Sequence, residues 1–218
     1  MTPSQKGWEA VSLGGLESIP LFEGLVWHPV RRRLGVRAFG INAYTSDQAG
    51  GLVVEEHDET GGGAGGHEEV YVVVSGRATF TLGGETVAAP AGTLVFVADP
   101  AVKRKAVAEE EGTLVLAIGG EPGRAYEVSP WESYFAAIPA FKAERWEEAI
   151  ALIEEGLAER PGNPALLYNL ACAESRAGRT EDALGHLLQA VAGDGSYAAR
   201  ARDDGDFDAI RGDPRFPT

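Results

Sequence analysis

The run "HEEVYVVVSG", residues 67–76, places His67, Glu69 and Tyr71 at alternate positions among valines. Alternate residues of a strand share a face, so an imidazole, a carboxylate and a phenol converge there. Such a set can ligate a metal, move a proton or floor a polar pocket. Upstream, "VVEEHDE" contributes His57 from a second β-branched run. Downstream, "KRK" at 103–105 puts Lys103 and Lys105 on one face and Arg104 on the other. Lys103 is the cation expected to meet Glu69 or an anionic ligand. A solvated edge turn is the alternative for this charge run.

The elements that carry these residues are short. "GLVVEEH", "EVYVVVSG", "ATFTL", "GTLVFVA" and "GTLVLAIGG" alternate with turn signals such as Gly83-Gly84 and "APAG" at 89–92. Many closely spaced strands predict an antiparallel sandwich or barrel. Near Trp131 the composition turns to Ala, Leu and Glu with helical periodicity. The join "GGEPGRAYEVSPWE" ends the last strand, and "SPWE" starts a helix with Ser129 as N-cap and Pro130 at the first position. The predicted organisation is an N-terminal extension over 1–24, a β-barrel over 25–120, a linker over 121–130 and helical repeats over 131–218. The fold class is α+β in two domains.

Composition limits the function classes. The 218 residues carry a net charge of -14, with -7 in residues 1–131 and -7 in 132–218. Acidity spread evenly along the chain repels phosphate backbones and argues against nucleic acid. No apolar run reaches the roughly 18 residues of a membrane helix. The start "MTPSQKGWEA" lacks the basic and apolar blocks of a signal peptide, so a cytoplasmic location is expected. The single cysteine, Cys172, excludes an intrachain disulfide and a multi-cysteine zinc site. "TGGGAGGH", 60–67, formally contains G-x-G-x-x-G, but a strand follows where a dinucleotide site needs a helix. It is expected to be a loop over the barrel mouth.

In the helical part "RWEEAI" at 145–150 recurs as "RTEDAL" at 179–184, an offset of 34 residues. That period, the small Ala149 and Ala183, and the Pro161 and Asn163-Pro164 punctuation resemble the tetratricopeptide (TPR) family over about 80 residues. The resemblance implies a protein-binding face at Tyr168, Cys172, Ser175 and Arg176, with Ala165 beside them. The face packing on the barrel or on a twin subunit is the alternative. Phe207, Ile210 and Phe216 in the C-terminal "DDGDFDAIRGDPRF" would cap the stack.

The first part resembles a cupin, an antiparallel barrel of the double-stranded β-helix type. The family's first motif is G-x5-H-x-H-x3,4-E-x6-G. Glu69 and Gly76 satisfy E-x6-G, but counting back from Glu69 puts the histidine places on Gly63 and Gly65, or on Gly62 and Ala64. The second motif is G-x5-P-x-G-x2-H-x3-N. Counted from Gly92, its histidine place falls on Lys103, and a slip of one or two residues reaches Arg104 or Lys105. Glycine offers no donor and a protonated lysine or arginine repels a cation, so no metal and no cofactor are expected. A site rebuilt from His57, His67 and Glu69 by folding back of the glycine loop is the exception to weigh. The departures from the family's motifs lead to the expectation of a non-catalytic barrel that holds a small molecule at His57, His67, Glu69, Tyr71 and Lys103, or that serves purely as a scaffold. A protein partner or a homodimer contact is assigned to the repeats. An enzyme of the isomerase, epimerase or oxygenase type, metal-free or with a rebuilt metal site, is the competing class.

Overall fold

The computed structural model describes residues 9–60 and 65–217. The expected loop over the barrel mouth lies largely outside the described residues, at 61–64, with the candidate histidine places at 62, 63 and 64. The chain divides into two compact units between Val128 and Ser129.

The first unit runs β1 (Ile19–Pro20), β2 (Leu25–His28), α1 (Val30–Leu34), β3 (Gly40–Ser46), β4 (Leu52–His57), β5 (Glu68–Ser75), β6 (Arg77–Leu82), β7 (Glu85–Pro90), β8 (Leu94–Val97), β9 (Arg104–Ala108) and β10 (Leu114–Gly120). One sheet has the order β1-β2-β3-β10-β5-β8, the other β4-β9-β6-β7. Every recorded strand pairing is antiparallel. Among the described residues no ladder joins the two sheets, so the barrel expected from the sequence is two facing sheets that do not close. Both sheets send apolar side chains to one core, with Val53, Tyr71, Val73, Phe80, Val95, Ala106 and Val115 at its centre. The β6–β7 hairpin turns on Gly83 and Gly84, both at positive φ, as a two-residue turn between strands of right-handed twist requires. Two segments outside the predicted barrel limits belong to this unit. Ile19 and Pro20 pair with β2, and Tyr126 packs on Gly40 and on the His67 ring.

The second unit contains α2 (Pro130–Lys142), α3 (Trp146–Glu159), α4 (Pro164–Arg176), α5 (Thr180–Gly193) and α6 (Ser196–Asp203). The first residues of α3 and α5 are 34 apart, and Ala149 and Ala183 are fully buried where the helices approach. Asn163 caps α4 by accepting from the Leu166 amide, with Pro164 at the first position. Ser129 precedes α2 in extended conformation, but its side chain makes no capping bond. None of the described helices is long and apolar enough to cross a membrane.

Candidate functional site

Strands β4, β5 and β9 each aim one ionisable side chain at the same point. On β5 the parity that buries Tyr71 and Val73 also turns Glu69 inward. On β9 it buries Arg104, Ala106 and Ala108 and turns Lys103 and Lys105 away. His57 ends β4 directly opposite Arg104 in the ladder. Glu69 Oε2 is the meeting point. It accepts from the Tyr71 hydroxyl at 2.5 Å, lies 3.5 Å from His57 Nε2 and 3.4 Å from Arg104 Nε. Glu59 joins from the residues after β4. One of its oxygens is 3.6 Å from His57 Nε2 and the other is 3.5 Å from His67 Nδ1. The backbone ties the group together, since the Pro100 carbonyl accepts from both the Glu59 amide and Arg104 Nη1. Gly65 leaves room for the His67 ring, for a Cβ there would stand 2.0 Å from His67 Nε2.

The electrostatics follow from this packing. Burial alone would lower the pKa of His57, but the Glu69 carboxylate, the Glu55 carbonyl and Glu59 outweigh it and hold the imidazole above its ordinary value. Its Nδ1–H donates to the Glu55 carbonyl at 2.9 Å, which aims Nε2 at the carboxylates. Burial would raise Glu69, yet His57, Tyr71 and Arg104 hold it below the usual carboxylate value. Glu59 is pushed up, first by burial and then by the Glu69 charge. Tyr71 is held well above the ordinary phenol by burial and by Glu69.

His57, Glu59 and Glu69 offer three donor atoms within 4.8 Å of one another, the span of a metal's ligand shell. The residues nevertheless do not fit a divalent transition ion. Such an ion needs lone pairs from a neutral imidazole and free carboxylates. Here Glu69 Oε2 is engaged by Tyr71, and a permanently charged guanidinium stands against the same oxygen. The constellation already carries its own cation, the Arg104 guanidinium.

Of the residues singled out in the sequence, His57, Glu69 and Tyr71 come together, and His67 reaches them through Glu59. Lys103 does not. It is 62% exposed and pairs with Glu56 at 2.7 Å on the outer surface, while Arg104 takes the inward position. Glu59 and Arg104 are therefore the residues that sequence reasoning missed. A forward count would have found the first. Gly51 to His57 reads G-x5-H, Glu59 stands at the next alternate place, and nine residues then separate it from Glu69 instead of three or four. Counting back across that longer loop lost the register. Gly51 is itself demanded locally, because a Cβ there would lie 2.2 Å from Ser46 Oγ.

The α4 face assigned to a protein partner is covered by the chain's own C-terminal segment. Tyr168 is buried, donates to Asp204 Oδ2 at 2.7 Å and packs on the rings of Tyr197 and Phe207. Ser175 donates to the Asp206 carbonyl, and Cys172 is buried beside Asp204. These three residues are spent on the fold. Arg176 alone of the four remains exposed, over the Trp146 ring and near Glu144 and Asp206. Phe207, Ile210 and Phe216 are buried in the same cluster.

Residues 140–203 match the family model described as tetratricopeptide repeat. No curated protein sequence matches the chain. Among solved structures it is similar to an RmlC-like cupin from Shewanella frigidimarina, at 21% identity over 53% of this chain and 95% of that one, TM-score 0.40. A sugar phosphate isomerase of the cupin superfamily from Silicibacter pomeroyi gives 14% identity over 51% and 74%, TM-score 0.42. A nucleoside dehydratase gives 18% over 51% and 81%, TM-score 0.36. The chain is thus a unit of two facing antiparallel sheets followed by a helical unit in which residues 140–203 match the tetratricopeptide repeat.

Proposed function

We propose that the β unit binds a small polar molecule without a metal ion, at the constellation of His57, Glu59, Glu69, Tyr71 and Arg104, and that the repeats serve protein association. The observation that carries the first part is Arg104, buried on a central strand with its guanidinium against Glu69. A buried cation so close to the carboxylate supplies the charge a metal would otherwise bring. The association half rests on the repeat match, and the exposed Arg176 over the half-buried Trp146 ring is the surface it would use. Untagged protein assayed for Fe, Mn, Ni and Zn should carry far less than one equivalent of any of them. One tightly held equivalent would overturn the metal-free reading.

A second reading is a metal-free acid–base enzyme. It is favoured by His57, whose Nδ1 is anchored on a carbonyl while Nε2 faces two carboxylates and Tyr71 supplies a hydroxyl nearby. Proton NMR in heavy water, with pyruvate and dihydroxyacetone as probes, tests for enzyme-dependent exchange of C–H groups next to a carbonyl. Exchange lost in His57→Gln would favour this reading over simple binding.

A further inference from the structure

Arg104 is fully buried, and its Nε and Nη2 have no hydrogen-bond partner among the described residues. Its recorded hydrogen bond is Nη1 to the Pro100 carbonyl at 3.3 Å. Glu69 does not satisfy the remainder. It approaches Nε at 3.4 Å through an oxygen already committed to Tyr71 at 2.5 Å and shared with His57. Leaving a buried charged donor unmatched is costlier than leaving a neutral one. A guanidinium cannot shed its proton to escape that cost. Nor can the side chain swing out, because β9 lies between β4 and β6 and the Arg104 backbone is in register with His57 and Leu82. The donors therefore call for an acceptor that the described residues do not contribute.

We infer that this acceptor is the carboxylate of a small organic acid, taken by the free N–H groups of the Arg104 guanidinium with His57 beside it. The inference rests on the binding reading above and names the ligand's chemical class. The planar fork of arginine matches the two oxygens of a carboxylate. His57 and Arg104 both lie within 3.5 Å of one Glu69 oxygen, so a guanidinium and an imidazole flank one carboxylate. Glu59, the second carboxyl, is shifted toward its neutral form by burial and by Glu69. The whole chain is at -14, so attraction of an acid to this point is local and owes nothing to the overall field.

The test is a side-chain NMR titration of the full-length protein, labelled with nitrogen-15 arginine and nitrogen-15 histidine, at constant ionic strength, with His57 as the reporter where Arg104 is replaced. Sodium acetate is exchanged for sodium chloride, with acetamide as the neutral probe of the same shape. Acetate should move the Arg104 Nε–H resonance saturably, and chloride and acetamide should not. In Arg104→Lys, which keeps the charge and loses the fork, acetate affinity should fall about tenfold or more. Glu59→Gln, which removes a competing carboxyl, should instead tighten acetate several-fold, and this variant carries the test should Arg104→Lys not fold. A response to acetamide or to inorganic phosphate, with none to acetate, would overturn the carboxylate class and leave the binding site standing. Arg104 and His57 resonances unmoved by all three probes would overturn both.

Discussion

In the β unit the Tyr71 hydroxyl donates to Glu69, and in the helical unit the Tyr168 hydroxyl donates to Asp204. In both pairs the tyrosine is buried and the carboxylate half-buried, and each carboxylate belongs to a trio whose donor atoms lie within 4.8 Å, His57–Glu59–Glu69 and Cys172–Asp204–Asp206. The difference lies in what is left over. Around Asp204 the polar atoms are used internally. Asp204 also accepts from the Asp206 amide, Ser175 takes the Asp206 carbonyl, and Arg200 stacks on Tyr168. Around Glu69 a buried guanidinium retains unmatched donors. A closed polar network specifies a fold, whereas one with surplus donors is prepared for something outside it.

The largest effect should come from breaking the closed network at its apolar floor. Phe207 is fully buried between Tyr168 and Phe216. Phe207→Asp removes a large ring and buries an unpaired charge, a loss of about 4 kcal/mol. The helical unit should then unfold at lower urea than the β unit, read by far-ultraviolet circular dichroism. A single parental transition would sink the capping argument.

Next comes the open network. Arg104→Met deprives Glu69 of one of its cations in a buried setting and should cost about 3 kcal/mol. The double variant with Glu69→Gln removes the stranded charge and should recover part of that loss in urea denaturation. The helical counterpart Asp204→Asn should cost only about 1 kcal/mol, because an amide oxygen still accepts from Tyr168. Equal losses for Arg104→Met and Asp204→Asn would erase the distinction between the two networks.

A smaller effect depends on pH. The folded pKa of His57 is raised, so its pairing contributes fully below the ordinary imidazole value of about 6.5. That contribution is lost as pH rises through the raised folded value. The gap in urea midpoint between the parent and His57→Gln should therefore shrink toward alkaline pH. A gap that stays constant would mean that the imidazole is not charged in the folded protein.

The legible parts of the molecule were those set by local periodicity. The 34-residue offset located α3 and α5, the Gly83-Gly84 pair located a hairpin, and alternation put Glu69 and Tyr71 on one face. The site was half legible. Glu59 escaped because its partner Glu69 lies beyond a lengthened loop, and contact across a loop leaves no periodic trace. The cover over Tyr168, Cys172 and Ser175 escaped for a related reason, since only tertiary packing brings Asp204, Asp206 and Phe207 onto α4.

The smallest effect is the most discriminating about register. Lys103 and Arg104 are neighbours, both cationic, and alternation alone cannot say which one faces the core. A one-residue slip of β9 would exchange them and reverse every side chain on the strand. The present register buries Arg104, Ala106 and Ala108, three residues whose partners across the ladders are His57 and Leu82, then Val54 and Phe80, then Ala78. The slipped register would instead bury Lys103, Lys105 and Val107, with two lysines in an apolar core. Lys103→Ala should accordingly leave the thermal midpoint and the acetate titration unchanged, since it removes only an exposed pair with Glu56 that solvent screens. A drop in both, comparable with that of Arg104→Met, would show that β9 is set one residue away from this register and that the cation facing Glu69 is the lysine.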